Sequence, residues 1–180
     1  MSKNVLIIST SLRNPSSSEI LAKEVEKGAK DAGHNVEFVT LKDKNISFCK
    51  GCLACQRLKH CVIDDDANLI TDKIKSSDVI VWATPVYYYE MSGQMKTVID
   101  RANPLFVSDY KFKEVYLITT SADSDAGVGQ AVVNGINGWI ACFNGVKLCG
   151  YLSGGGITSS SDLEANPDLL KKAYDLGKNI

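Results

Sequence analysis

Four cysteines stand at tight intervals in one short stretch, Cys49, Cys52, Cys55 and Cys61, a C-x2-C-x2-C-x5-C run inside FCKGCLACQRLKHCV. Cubane iron–sulfur clusters are held by four thiolates, and a compact run of short spacings lets one loop wrap such a set. Gly51 and Ala54 leave room for that loop to fold tightly. Zinc is the competing metal, but it usually takes two separated C-x2-C knuckles, which are absent here. A thiol-based redox or metal sensor is a further reading, because clustered Cys in a reducing compartment point to ligation or redox chemistry rather than to disulfides. His60, beside Cys61, could reach a cluster sulfur, although a solvent-facing place is the simpler assignment. The other two cysteines, Cys142 and Cys149, fall in an expected helix and strand and read as core residues.

A second group of candidate residues lies near the N-terminus, in the loop from Ser9 to Ser18. A phosphate needs donors that converge on it, and hydroxyls, loop amides, a helix N-terminus and one arginine supply them together. Ser11, Arg13, Ser16, Ser17 and Ser18 meet that need. The loop has neither the glycine pattern of the dinucleotide fingerprint nor that of the P-loop, which disfavours a nicotinamide dinucleotide or ATP as its main ligand. Taken alone, it is equally well read as a capped helix start, since Ser and Asn favour such sites anyway.

The third group is T-P-V-Y-Y-Y-E-M-S-G-Q-M-K-T-V-I-D-R, Thr84 to Arg101. Three consecutive tyrosines at a strand end cannot all be buried, because successive side chains point to opposite faces and each hydroxyl needs a partner. Pro85, Val86, Tyr87, Tyr88 and Tyr89 would make one wall for a flat aromatic ligand; a dimer interface, where Tyr is enriched, is the other use of the same residues. The loop Thr119 to Asp125 offers small residues and free amides, and on its own is a polar turn. Lys96, Asp100 and Arg101 read as local ion pairs or dimer contacts, and no residue is assigned a catalytic role.

The elements that must hold these loops follow from periodicity. Val5–Ile8, Val36–Leu41, Asp78–Ala83, Val115–Thr119 and Val146–Leu152 read as strands. Helical spacing is seen over Ser18–Ala32, after Asp64–Asp66, over Gly93–Ala102, over Ala126–Phe143 and over Pro167–Leu176. Strands that are apolar on both faces and alternate with helices predict a parallel sheet covered on both sides. In such a sheet ligands bind at the carboxyl edge, so the ligand loops should follow strands one, three and four.

Composition narrows the partners. With 180 residues and 44% hydrophobic content the chain has material for one core, and a single domain over residues 1–180 is expected. Twenty basic and 21 acidic residues leave a formal net charge of −1, which indicates no nucleic-acid surface and no strongly acidic docking face of a flavodoxin-type carrier. The N-terminus shows no signal-peptide pattern and no apolar run approaches roughly 18 residues, so a cytoplasmic protein without a membrane segment is expected.

Taken in order, VLIISTSLRNPSSS, the cysteine run and P-V-Y-Y-Y-E-M-S-G-Q-M-K-T-V-I-D-R resemble the flavodoxin-like NAD(P)H-dependent FMN reductase superfamily, specifically its iron–sulfur flavoprotein branch. The resemblance covers nearly the whole chain. It implies an α/β flavodoxin-like three-layer sandwich with a five-stranded parallel sheet in the order 2-1-3-4-5. It implies one FMN per subunit, its phosphate in the loop Ser11 to Ser18 and its isoalloxazine between Pro85 to Tyr89 and Thr120, Ser121, Ala122 and Asp123. Cys49, Cys52, Cys55 and Cys61 become [4Fe–4S] ligands, and the assembly a homodimer or homotetramer. The family usually carries Gly, Ser, Pro, Arg and then Gly, Asn, Thr in the first loop. Here Thr10, Ser11, Leu12 and Arg13, then Ser16, Ser17 and Ser18, keep the hydroxyls and the arginine without the glycines. The implied activity is transfer of electrons from NAD(P)H through FMN to a quinone, free flavin or other small-molecule acceptor; the alternative is an electron carrier reduced by ferredoxin.

Overall fold

The computed structural model describes residues Met1 to Ile180, and its centre is a parallel sheet. β1 (Asn4–Ser9) is buried along its whole length after Asn4. β2 (Asn35–Thr40) and β3 (Val79–Tyr87) flank it in parallel, with Val5 opposite both Val36 and Val79. β5 (Glu114–Thr120) pairs with β3, and β6 (Lys147–Gly154) with β5, while β4 (Glu90–Met91) folds back antiparallel on the end of β3. The order is β2-β1-β3-β5-β6, which is 2-1-3-4-5 for the five parallel strands and the flavodoxin-like arrangement expected.

Alternate residues along each strand serve opposite layers. Val5, Ile7, Val79, Val81 and Ile118 meet α1 (Ser17–Asp31), α6 (Ser160–Glu164) and α7 (Pro167–Lys178). Leu6, Ile8, Ile80, Trp82 and Leu117 meet α3 (Asp66–Ser76), α4 (Gly93–Arg101) and α5 (Gln130–Ile140). Two facing layers explain why these strands carry no polar face. Helices α1 and α7 touch backbone to backbone: a Cβ on Gly177 would lie 2.1 Å from the Val25 carbonyl oxygen, and one on Gly28 would lie 2.0 Å from that of Tyr174. No helix is long and apolar enough to cross a membrane.

Several expected boundaries move. β3 runs to Tyr87 rather than ending at Ala83, although it contains Pro85. The Thr10 amide bonds the Ala83 carbonyl, so odd-numbered residues here face β1; at Pro85 β1 has already ended, and the missing N–H costs no ladder bond. Helix α5 starts at Gln130 rather than Ala126, because Asp123 and Asp125 accept from the Asp125 and Gly127 amides in tight turns. Two core assignments are overturned: Cys142 and Cys149 are exposed. Cys142 lies past the last residue of α5, and Cys149 points outward from β6, an edge strand whose residues alternate between exposed and partly covered. Trp82 is buried in full, whereas Trp139 is partly covered and stands edge-on to it with centroids 5.8 Å apart.

Candidate functional site

At the carboxyl edge the loops after β1, β3, β5 and β6 enclose a cleft of about 340 Å³. One end is polar. Ser16 caps α1, its hydroxyl accepting from the Glu19 amide at 3.4 Å, and the Ser18 hydroxyl lies 3.2 Å from that of Ser16. Helix geometry leaves the first amides, Ser17 and Ser18, without intrahelical acceptors. Ser11, Arg13, Ser16 and Ser17 line this end, while Ser18 is buried beneath it. The other end is walled by Pro85, Val86 and Tyr87 on one side and by Thr120, Ser121 and Ala122 on the other.

Tyr88, Tyr89 and Asp123 fall outside the lining. The two tyrosines are the central residues of the β3–β4 hairpin, with φ of 51° and 66° in the left-handed region. Such a pair matches a type I′ turn, a place favouring Asn-Gly. Tyr88 projects fully into solvent, and the Tyr89 hydroxyl stands 3.5 Å from an Asp123 carboxylate oxygen.

Two lining residues escaped the sequence reading, Ile157 and Thr158, in the loop after β6. Arg13 Nη1 donates to the Thr158 carbonyl at 3.1 Å, and the Ile157 amide donates to the Ser121 carbonyl at 2.8 Å. Asp162 fixes this loop: its carboxylate accepts from the Thr158 hydroxyl and amide and from the Ser159 amide, each at 2.8 Å. Those bonds, the Thr158 hydroxyl first, push its carboxyl down to about 2. The readable signal was the stretch Gly154 to Asp162, three glycines followed by a Ser159–Asp162 capping box.

Below the cleft, Thr10 Oγ1 donates to the Ala83 carbonyl at 3.0 Å and lies 3.1 Å from Ser92 Oγ, and the Ser92 amide donates to Thr84 Oγ1 at 3.0 Å. Ser92 caps α4, so the cleft floor and that helix are braced together. Between this brace and the cysteine loop lies a second cavity of about 360 Å³, with Leu12, Phe48 and Gly93 among its walls.

All four clustered cysteines line one small concavity of about 40 Å³. None of them pairs in a disulfide. Left-handed backbone at Gly51, Leu53 and Lys59 turns the loop tightly around the short helix α2 (Ala54–Leu58). The Gly51 amide donates to Cys49 Sγ at 3.4 Å, and Asn103 Nδ2 donates to Cys55 Sγ at 3.1 Å. No three His, Cys, Asp or Glu side chains are grouped closely enough to hold a single metal ion. His60 is exposed and turned to the Leu58 carbonyl.

Arg101 lines the same concavity, and its expected role is corrected. Lys96 and Asp100 do form a surface pair at 2.6 Å, but Arg101 is buried and bonds Asp65, 36 residues away, at 2.6 and 2.9 Å. Asp65 also caps α3 by accepting from the Ala67 amide and takes the Ser47 amide. Burial acts to raise the Asp65 carboxyl, and the Arg101 bond and the two amides outweigh it, so it sits below its ordinary value.

A family model described as NADPH-dependent FMN reductase matches residues 3–136, from the start of β1 into α5. The chain belongs to this family. An iron–sulfur flavoprotein of Archaeoglobus fulgidus is 31% identical over 154 residues, spanning 86% of this chain and 68% of that protein. One of Methanocaldococcus jannaschii is 27% identical over 182 residues, spanning 98% and 94%. These place the chain in the iron–sulfur flavoprotein branch of that family. Its fold matches the NAD(P)H:quinone oxidoreductase of Methanothermobacter marburgensis with a TM-score of 0.77 over 99% of this chain and 96% of that one, at 15% identity. The chain is thus a flavin-dependent oxidoreductase by family and flavodoxin-like by fold.

Proposed function

We propose that this chain, acting as one domain over residues 1–180, binds FMN in the carboxyl-edge cleft and transfers electrons from NAD(P)H to a quinone, free flavin or other small acceptor, with a [4Fe–4S] cluster on Cys49, Cys52, Cys55 and Cys61. The carrying observation is the cleft's division into a polar end at a helix N-terminus and an apolar wall facing loop amides. A phosphomonoester suits the first: the Ser17 and Ser18 amides, the Ser11 and Ser16 hydroxyls and the Arg13 guanidinium offer both donors and positive charge. A planar heterocycle suits the second, between Pro85–Tyr87 and Thr120–Ala122. Bound there, the flavin supplies hydride acceptance at N5 and onward electron transfer. The chain's own part is to hold it. Arg13 and Thr158 close the phosphate end, and the Ser121–Ile157 bond keeps the loops after β5 and β6 in register.

The thiol set fits a cluster because donors already address two of its sulfurs and because four cluster corners spread their ligands more widely than the bonds of one ion. A cytoplasmic homodimer completes the reading, with the exposed Tyr87, Tyr88 and Tyr89 as its natural contact. The deciding experiment is an anaerobic visible spectrum of purified protein given FMN, before and after NAD(P)H and then a quinone. Flavin bands that bleach and return support the proposal. Protein that neither retains nor binds FMN overturns it.

A further inference from the structure

Four of the five N–H groups of Arg101 are used. Nη1 donates to the Ser47 carbonyl at 2.8 Å and to Asp65, and Nη2 donates to the Ile63 carbonyl at 3.0 Å and to Asp65. Ser47 precedes Cys49 and Ile63 follows Cys61, so one guanidinium ties together both ends of the loop that carries the thiols. The fifth donor, Nε–H, is buried and has no acceptor. Buried donors are seldom left unpaired in native structures. The side chain is wholly inaccessible to solvent, so water does not satisfy this group from the surface. Its surroundings are the concavity lined by Cys49, Cys52, Cys55 and Cys61.

We propose that Arg101 is the positioning residue of this concavity: its Nε–H is reserved for a sulfur, either the Cys61 thiolate or a sulfide of the cluster, while its two Nη groups set the loop ends. This rests on the reading that the four thiols hold a [4Fe–4S] cluster. A hydrogen bond to sulfur strengthens as the sulfur gains charge, so Arg101 favours the reduced, more negative form and raises the potential. Asp65 opposes it, as a neighbouring negative charge favours the oxidised form.

Charge and hydrogen bond are separable. Arg101→Lys keeps a cation against Asp65 but has no Nε–H and cannot span both loop ends. Asp65→Asn keeps an oxygen toward Arg101 and Ala67 but removes the countercharge. Anaerobically reconstituted wild type, R101K and D65N would be assayed for iron and acid-labile sulfide, then titrated electrochemically. R101K should shift the reduction equilibrium at least about tenfold toward the oxidised form, about 59 mV for a one-electron couple, and D65N should shift it the other way. A purely structural role would lower cluster content in both variants and leave the potential of the retained fraction unchanged; that result overturns the proposal, and if R101K does not fold, the R101Q/D65N double variant titrated against D65N alone decides the matter, an equal potential in the two overturning it. Wild-type protein that takes up neither iron nor sulfide overturns the cluster reading itself, and the proposal with it.

Discussion

Arg13 separates the two ends of the cleft experimentally, because only the polar end should feel its loss. Its side chain is exposed and makes one hydrogen bond, to the Thr158 carbonyl, so Arg13→Met removes a charged donor without opening the core. A hydrogen bond from a charged group contributes about 1.5–3 kcal/mol. Solvent screening of an exposed guanidinium favours the lower half of that range. At about 1.4 kcal/mol per decade, the FMN dissociation constant should rise about 10- to 40-fold. Quenching of flavin fluorescence on titration measures it directly. Riboflavin has the same ring system and no phosphate, so its dissociation constant should stay within about twofold, the ordinary effect of a surface substitution. Added salt should shrink the FMN difference and leave riboflavin alone. An equal loss for both ligands would mean that Arg13 acts only through the Thr158 loop, and no loss for FMN would remove the phosphate assignment altogether.

Three further outcomes are expected. Gly177→Ala places a methyl 2.1 Å from the Val25 carbonyl oxygen, and an overpacking cost of about 1–3 kcal/mol should lower the melting temperature by about 3–8 °C; an unchanged melting curve would contradict the close approach of α1 and α7. Asp162 titrates at about 2 against an ordinary 3.8, so its stabilisation is complete above about pH 4 and fades as pH falls toward 2; the melting-temperature gap between wild type and Asp162→Asn should be constant from neutral pH to about 4 and narrow below it, and a gap that widens with acid would refute this. Replacing Tyr88 and Tyr89 by Asn and Gly relieves two left-handed tyrosines and should raise stability by about 1 kcal/mol, seen in chemical denaturation, while sedimentation tests whether the dimer contact is lost.

The parts legible in sequence are those whose causes are local. β1, β3 and β5 announce themselves because both faces are buried, so Val5–Ile8, Val79–Ala83 and Val115–Ile118 are nearly continuous apolar runs. Sheet order then puts three loops at one edge, which is why Ser11, Pro85 and Ser121 could be grouped although they are far apart in the chain. Residues whose role depends on a distant partner were invisible. Thr158 matters because Arg13 reaches it across 145 positions, through a carbonyl that any residue would offer. Arg101 reads in sequence as a local ion-pair or dimer-contact residue because nothing near it reveals Asp65 folding over it. Cys149 was misplaced because β6 is an edge strand, a property of the whole sheet rather than of KLCGYL.

Helix α4 connects these observations. Its first turn is braced to the cleft floor through Ser92, Thr10 and Thr84, and its last residue, Arg101, holds the ends of the cysteine loop. Nine helical residues at about 1.5 Å each set those two anchor points about 13 Å apart. Met95 and Val98, both wholly buried, fix the helix against the sheet between them. The separation of the carboxyl-edge cleft from the thiols is therefore a property of a packed helix rather than of a flexible connection, even though the thiols themselves sit on a surface loop. That arrangement explains why the buried ion pair is placed at Arg101: a cysteine loop joined to the body only by its own backbone would have no fixed distance to the cleft, and the Arg101–Asp65 contact transfers the rigidity of the core to it.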